Sequence, residues 1–315
     1  MPDNPATVAA QFVMRFRRQR PLRGGSLIVT IFGDSIMPRG GAITLGSLIR
    51  LAMPFGLNER LVRTAAARLA QDGWLESRRA GKLSEYHLSQ SGRERFAEAT
   101  ARIYGDAAPA WAGRWTLIVL PVLRAAERLR LRKELAWHGF GELSGGVFAH
   151  PEVQRRELAA QLHALNLPAN ALVFDADLAN DTAPSALVNL GWNLQELGLR
   201  YRQFVERFER AAAALRQRAS PEAGFILRTL LIHEYRRLHL RDPLLPPPLL
   251  PKNWPGTRAA ELCREIYAQV FTASETHLSD VAAQLKGGLP APDRSVMQRF
   301  GGLQRVSPQA TAPES

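Results

Sequence analysis

Apolar positions recur at helical spacing in two short early segments, Ser26–Ile36 and Thr44–Ala52, split by the breaker run Pro38-Arg39-Gly40-Gly41. Ser26 and Thr44 are suited to cap the two helices these segments predict. A third helical segment opens at Gly56-Leu57-Asn58 and runs to Gln71, with Asn58 as its cap, Glu59 at its positive end and Gly73 as its stop. Two strand-like runs follow, Trp74–Arg79 and Leu83–Leu88, turning through Ala80-Gly81-Lys82 as a hairpin. Three helices and a hairpin within about 65 residues is the layout of a winged helix-turn-helix.

Beyond a helical stretch at 89–104 and a turn-rich boundary at Tyr104–Gly113, the period changes. Trp115–Val122, Gly141–Ala149 and Ala171–Leu178 read as strands, and Ala125–Trp137 and Val153–Leu165 as helices between them. That alternation predicts a small ferredoxin-like layer. From Leu187 through Leu190, Leu194, Leu197, Tyr201, Phe204, Phe208, Ala211 and Leu215, apolar residues recur at steps of 3 and 4, an a/d seam that either pairs two copies or packs internally. Helices are expected again around Gly224–Leu240 and Arg258–Leu285, on either side of a proline-rich stretch. The pattern thus predicts an α+β protein in five parts: a flexible basic arm (1–25), a winged-helix domain (26–105), a ferredoxin-like middle domain (112–180), a helical C-terminal dimerisation and effector domain (181–286) and a disordered tail (287–315).

Charge changes the picture by its position. The 315 residues carry 41 Lys+Arg against 29 Asp+Glu, a net +12. Residues 1–105 hold 16 against 8, or +8, and the remaining 25 against 21 give +4. Two thirds of the surplus therefore lies in the first third of the chain, where a polyanion is the natural partner. The single cysteine, Cys263, excludes a disulfide framework and a cysteine-rich zinc site and points to a reducing cytoplasm. The longest apolar stretches, such as Trp115–Leu123, fall far short of the roughly 20 residues of a spanning helix.

On a helical wheel the third segment separates into an apolar face, Leu61, Val62, Ala65 and Leu69, and an opposite face of Arg60, Arg63, Thr64, Ala67 and Gln71. In a major groove, arginine matches the paired acceptors of guanine, while Thr and Ala suit the thymine methyl. The hairpin residues Arg78, Arg79 and Lys82 stand where phosphate is within reach.

Enzyme signatures are incomplete. Leu27–Ile36 resembles the first block of GDS-type serine hydrolases with Ser35 as nucleophile, but none of the 10 Asp residues has a His three positions later. His233-Glu234-Tyr235-Arg236-Arg237 starts like a zincin helix with Arg237 where the second His must stand. Asp175 and Asp177 at a strand end leave open a metal-dependent nuclease that uses the winged helix for targeting. No catalytic or metal-ligating residue is assigned, and no cofactor.

Ser26–Met37, Leu57–Leu75 with its core Leu57-Asn58-Glu59-Arg60-Leu61-Val62-Arg63-Thr64, and the hairpin to Leu88 resemble the PaaX family, the phenylacetic acid degradation repressor group of bacteria. The string His233-Glu234-Tyr235-Arg236-Arg237, then Asp242-Pro243, Leu245-Pro246, Leu249-Leu250-Pro251 and Trp254-Pro255-Gly256, extends the likeness over roughly residues 25–285. The resemblance implies a cytoplasmic, non-enzymatic homodimer that binds a palindromic double-stranded operator. It also implies a middle domain similar to a CRISPR-associated endoribonuclease, and release of DNA by an aryl-coenzyme A thioester, typically phenylacetyl-CoA. For such an effector, His233, Arg236, Arg237 and Arg241 form a basic cluster near Trp254, with Tyr235 or Trp254 placed to stack on a ring.

Overall fold

Asn4 opens the first helix: its side chain accepts a hydrogen bond from the Thr7 amide at 2.8 Å, and Pro5 occupies the first helical position. This is the computed structural model of the chain, and it describes residues 4–22, 24–81, 83–105, 110–151, 165, 167–168, 170–179, 182–283 and 289–303. Its elements in chain order are α1 (Pro5–Arg18), α2 (Gly24–Ile31), β1 (Ala42–Thr44), α3 (Leu45–Ala52), α4 (Glu59–Gln71), β2 (Leu75–Ala80), β3 (Leu83–Leu88), α5 (Gln90–Tyr104), β4 (Trp115–Val119), α6 (Ala125–Trp137), β5 (Gly141–Ser144), β6 (Val147–Pro151), β7 (Leu172–Ala176), α7 (Pro184–Gly191), α8 (Leu194–Ala214), α9 (Pro221–His239) and α10 (Pro255–Ala283). Mixed helix and sheet make the fold α+β, as the pattern predicts.

The division of the chain departs from the serial domains expected. Two compact units form, both discontinuous: residues 1–106, 203–237 and 258–315 in the larger, and 107–202 with 238–257 in the smaller. In the larger unit the N-terminal helices share a core with the C-terminal ones. Phe12 stacks on Phe208 at 4.6 Å and Phe55 meets Phe225 edge-on at 5.7 Å. Burial of apolar surface, not adjacency in sequence, decides the partners.

Both terminal expectations are corrected by the same physics. The arm expected to be flexible is α1, because Val8, Phe12 and Phe16 recur every fourth residue and are buried while its arginines face water. In the tail expected to be disordered, residues 294–301 form a 3-10 helix that buries Val296 and Arg299. Residues 287, 288 and 304–315 lie outside the described residues, as do 153–164 of the expected second middle-domain helix.

The seam from Leu187 to Leu215 is not one continuous stripe. Trp192 is extended and breaks α7 from α8, and Leu190 is exposed. In the larger unit, Phe204, Phe208 and Ala211 are fully buried within a single chain, so these positions pack internally and do not face a second copy.

The two sheets are small. The larger unit carries β1-β3-β2, all antiparallel, with Ile43 and Ser77 flanking Tyr86. The smaller unit carries β5-β6-β4-β7, again antiparallel throughout. There β4 and β5 run parallel, joined through α6 with β6 between them, which is the split β-α-β arrangement. One strand was expected at 141–149; the pair Gly145-Gly146 instead turns it into the β5–β6 hairpin. Alternate residues of β4 serve both faces. Ile118 joins Leu131, Leu135 and Phe148, whereas Trp115 joins Ala149, Val188 and Leu194.

Candidate nucleic-acid interface

α4 is held by three local devices. Thr44 caps α3 by accepting from the Ser47 amide at 3.1 Å, a turn through Gly56 follows, and Asn58 caps α4 by accepting from the Leu61 amide at 2.9 Å. α4 packs against α2, α3 and β2 through buried Val62 and Ala66, with Ala65 and Leu69 half-buried. Leu61, expected on the apolar face, is 43% exposed, because the buried stripe is centred one position further along the helix. Arg60, Arg63, Thr64, Ala67 and Gln71 are all exposed, and so is Arg68, which the wheel did not single out. The Arg63 guanidinium donates to Glu59 at 2.7 Å across one turn of surface, an exposed pair of a kind worth only about 0.3–0.5 kcal/mol and therefore easily exchanged for another partner. On β2, Arg78 and Arg79 are exposed, with Arg78 3.1 Å from Glu76. Lys82 lies outside the described residues.

Behind this face the larger unit buries a charge cluster. After α2 the helix widens into a π-turn over Phe32–Ile36 that carries Asp34, only 2% exposed. Its carboxylate accepts from Arg228 Nε at 2.7 Å, Arg299 Nη1 at 2.8 Å, the Tyr104 hydroxyl at 2.6 Å and the Tyr267 hydroxyl at 2.9 Å. Arg228 also donates to Glu275 at 2.6 Å, and Glu275 pairs with buried Arg39. Burial pushes the Asp34 carboxyl upward, but the two guanidinium groups and the two phenols outweigh it and hold the group below its ordinary value. Ser35, a nucleophile in the hydrolase comparison, is buried in the same π-turn, with no strand delivering it to a surface.

The residues expected to meet an effector divide between the units. His233 is buried and its Nδ1 lies 3.0 Å from Thr30 Oγ1 of α2. Arg236 donates to Thr30 Oγ1 at 2.8 Å, to the Ser26 carbonyl at 2.7 Å and to Ser26 Oγ at 2.8 Å. Burial among these neutral oxygens draws the Arg236 guanidinium down to about 10. Tyr235 is buried against Phe204, and Arg237 is half-buried. These four belong to the larger unit, where His233 and Arg236 fasten α9 to α2. Arg241 and Trp254 belong to the smaller unit, and both line a cleft of about 1810 Å³. Arg202, Lys252 and Trp192 line it too.

Asp175 and Asp177 each have Arg114 at 3.9 Å. Among the described residues no group of three or more His, Cys, Asp or Glu is placed to hold a metal ion, and no helix is long and apolar enough to cross a membrane.

Comparison with known proteins adds a shared ancestry to this geometry. The family model of the PaaX-like protein matches residues 23–92, that of the PaaX protein central Cas2-like domain residues 108–188, and that of the PaaX-like protein C-terminal domain residues 192–280. The transcriptional repressor PaaX of Escherichia coli (strain K12) is 38% identical over 289 residues, covering 90% of this chain and 92% of that protein. A solved structure, an uncharacterized protein from Mycobacterium tuberculosis, covers 73% of this chain and 89% of its own with a TM-score of 0.50; at 23% identity this is a likeness of fold alone. With three family models following one another along the chain and a relative of this identity over nearly its whole length, the chain belongs to the PaaX family.

Proposed function

We propose that the chain is a DNA-binding transcriptional repressor, a winged helix-turn-helix protein that places α4 in the major groove of a palindromic operator as a homodimer. It leaves the operator when an aryl-coenzyme A thioester, phenylacetyl-CoA foremost, binds. The observation that carries the reading is the face of α4. Arg60, Arg63, Thr64, Ala67 and Gln71 are all exposed together on a capped helix whose opposite side is packed on α2 and α3. The hairpin directly after it offers Arg78 and Arg79 to the phosphate backbone. The charge of residues 1–105 and the repressor name of the Escherichia coli relative point the same way. A dimer sets two such helices one helical turn, or a multiple of it, apart, which is why the operator is read as a palindrome. The chemistry asked of the chain is binding, with no catalytic group. The nearest alternative, a nuclease using Asp175 and Asp177, has the one guanidinium of Arg114 3.9 Å from both carboxylates and, among the described residues, no third metal-ligating side chain grouped with them.

Arg60→Ala and Arg63→Ala are each expected to weaken operator binding by about 1–3 kcal/mol while the fold survives, since both side chains are exposed. Titrating labelled operator duplex with each variant, beside circular dichroism of the free proteins, measures this. Wild-type operator affinity in both variants sinks the assignment of α4.

A further inference from the structure

The cleft of the smaller unit has the chemistry of a built site. Five cations line it, Arg132, Arg200, Arg202, Arg241 and Lys252, against two carboxylates. Each carboxylate is already taken: Glu142 by Arg132 at 2.7 Å and Glu196 by Arg200 at 2.5 Å. Among the described residues, Arg202, Arg241 and Lys252 have no carboxylate partner, so three positive charges face one concave space. Concentrated like charge of this kind attracts phosphate, for which guanidinium offers paired donors.

Two indoles stand among these cations, each fixed by a glycine. A Cβ on Gly141 would lie 2.6 Å from the Trp192 ring, and Trp192 Nε1 donates to the Gly139 carbonyl at 3.1 Å. A Cβ on Gly198 would lie 3.2 Å from the Trp254 ring, whose other flank meets Tyr201 edge-on at 5.9 Å. Glycine inside a helix is unfavourable, and at 198 it gives Trp254 its seat. The loop that presents Arg241 is braced from below. Asp242 accepts from the Tyr201 hydroxyl at 2.8 Å and from the Leu244 amide at 2.8 Å. Leu244 and Asn253, flanking the cleft on either side of the proline run, both hold left-handed backbone, a conformation that persists only where the surroundings enforce it.

We propose that this cleft binds a phosphate-bearing ligand with a flat ring, and that the ligand is the coenzyme A thioester of the repressor reading, on which that identity rests. Arg202, Arg241 and Lys252 take the phosphates, and Trp192 or Trp254 stacks on the ring. At about 1810 Å³ the cleft exceeds the few hundred Å³ to about 1,000 Å³ of a drug-sized pocket, which leaves room for a ligand with a charged end and a further arm.

Calorimetric titration of the full chain with phenylacetyl-CoA, ATP and phenylacetate tests this. The thioester should bind the wild-type chain more tightly than ATP does, and phenylacetate should not bind. Arg241→Ala/Lys252→Ala should lose at least about tenfold in thioester affinity, and so should Trp254→Leu, while both keep operator affinity within twofold in the absence of ligand. Wild-type thioester affinity in both variants overturns the site and leaves the effector reading standing. A wild-type chain that binds operator but ignores the thioester overturns the site and the effector reading together. ATP binding as tightly as the thioester overturns the ligand's identity, and phenylacetate binding as tightly overturns the role of the cations.

Discussion

Asp34→Asn is expected to destabilise the larger unit by about 3–5 kcal/mol, the loss that follows when one partner of a buried ion pair is removed. The carboxylate accepts from Arg228, Arg299, Tyr104 and Tyr267 at once, and all four are buried. Asparagine keeps the shape but supplies one acceptor oxygen and no charge, and its NH₂ has nothing to offer the two guanidinium groups, which can only donate. Three buried guanidinium groups, Arg39, Arg228 and Arg299, are then left with the single carboxylate of Glu275, which pairs with Arg39 and Arg228 but not with Arg299. Urea denaturation followed by far-ultraviolet circular dichroism measures the effect in the transition that reports this unit, and a midpoint within a few tenths molar of wild type would falsify the account. The pH dependence gives an independent readout. Because Asp34 is held below its ordinary value of 3.8, its contribution is complete above the unfolded value and is lost as pH falls through the folded one. Wild type should therefore lose stability steeply below about pH 4, and the variant should lose less over the same interval.

Local structure was legible in the sequence wherever a helix or turn is fixed by its own residues. Thr44 and Asn58 cap the helices they were expected to cap, and the polar face of α4 is exposed residue for residue. What the sequence could not display is pairing at long separation. Asp34 meets Arg228 across 194 positions and Arg299 across 265, and no local period announces such contacts. For the same reason the string at 233–237, distinctive as a resemblance, read as a basic cluster for an effector. In the fold His233 and Arg236 point inward to Thr30 and Ser26, more than 200 residues earlier. α1 is a different case, since Val8, Phe12 and Phe16 stood at helical spacing in plain view, and the arginines between them drew the reading toward solvent. The basic cleft lay between these extremes. Arg241 and Trp254 were visible as types, but Arg202 and Trp192 join them only because the chain folds residues 189–202 and 241–255 around one space.

Phe208→Ala is expected to cost about 3–5 kcal/mol, the range for deleting a fully buried aromatic ring. Phe208 is completely buried, 4.6 Å from Phe12 of α1 and 4.5 Å from Phe204 one turn back on α8. Truncation opens a cavity bounded by two rings that are held by their own helices and cannot collapse into it fully. The variant also distinguishes the two uses of an apolar seam. A seam that joins two copies gives unfolding whose midpoint rises with protein concentration, because association stabilises by mass action. A seam packed within one chain gives a loss independent of concentration, and Phe208 faces α1 of its own chain. The denaturation midpoint of Phe208→Ala should thus fall by the same amount at 1 µM and at 50 µM, both concentrations being on the order of ordinary optical assays. Trypsin should at the same time cut faster after Arg15, Arg17 or Arg18, because α1 loses the ring that holds Phe12 in place. A loss that disappears at the higher concentration would return the seam to the dimer, and Phe12 would then need another partner.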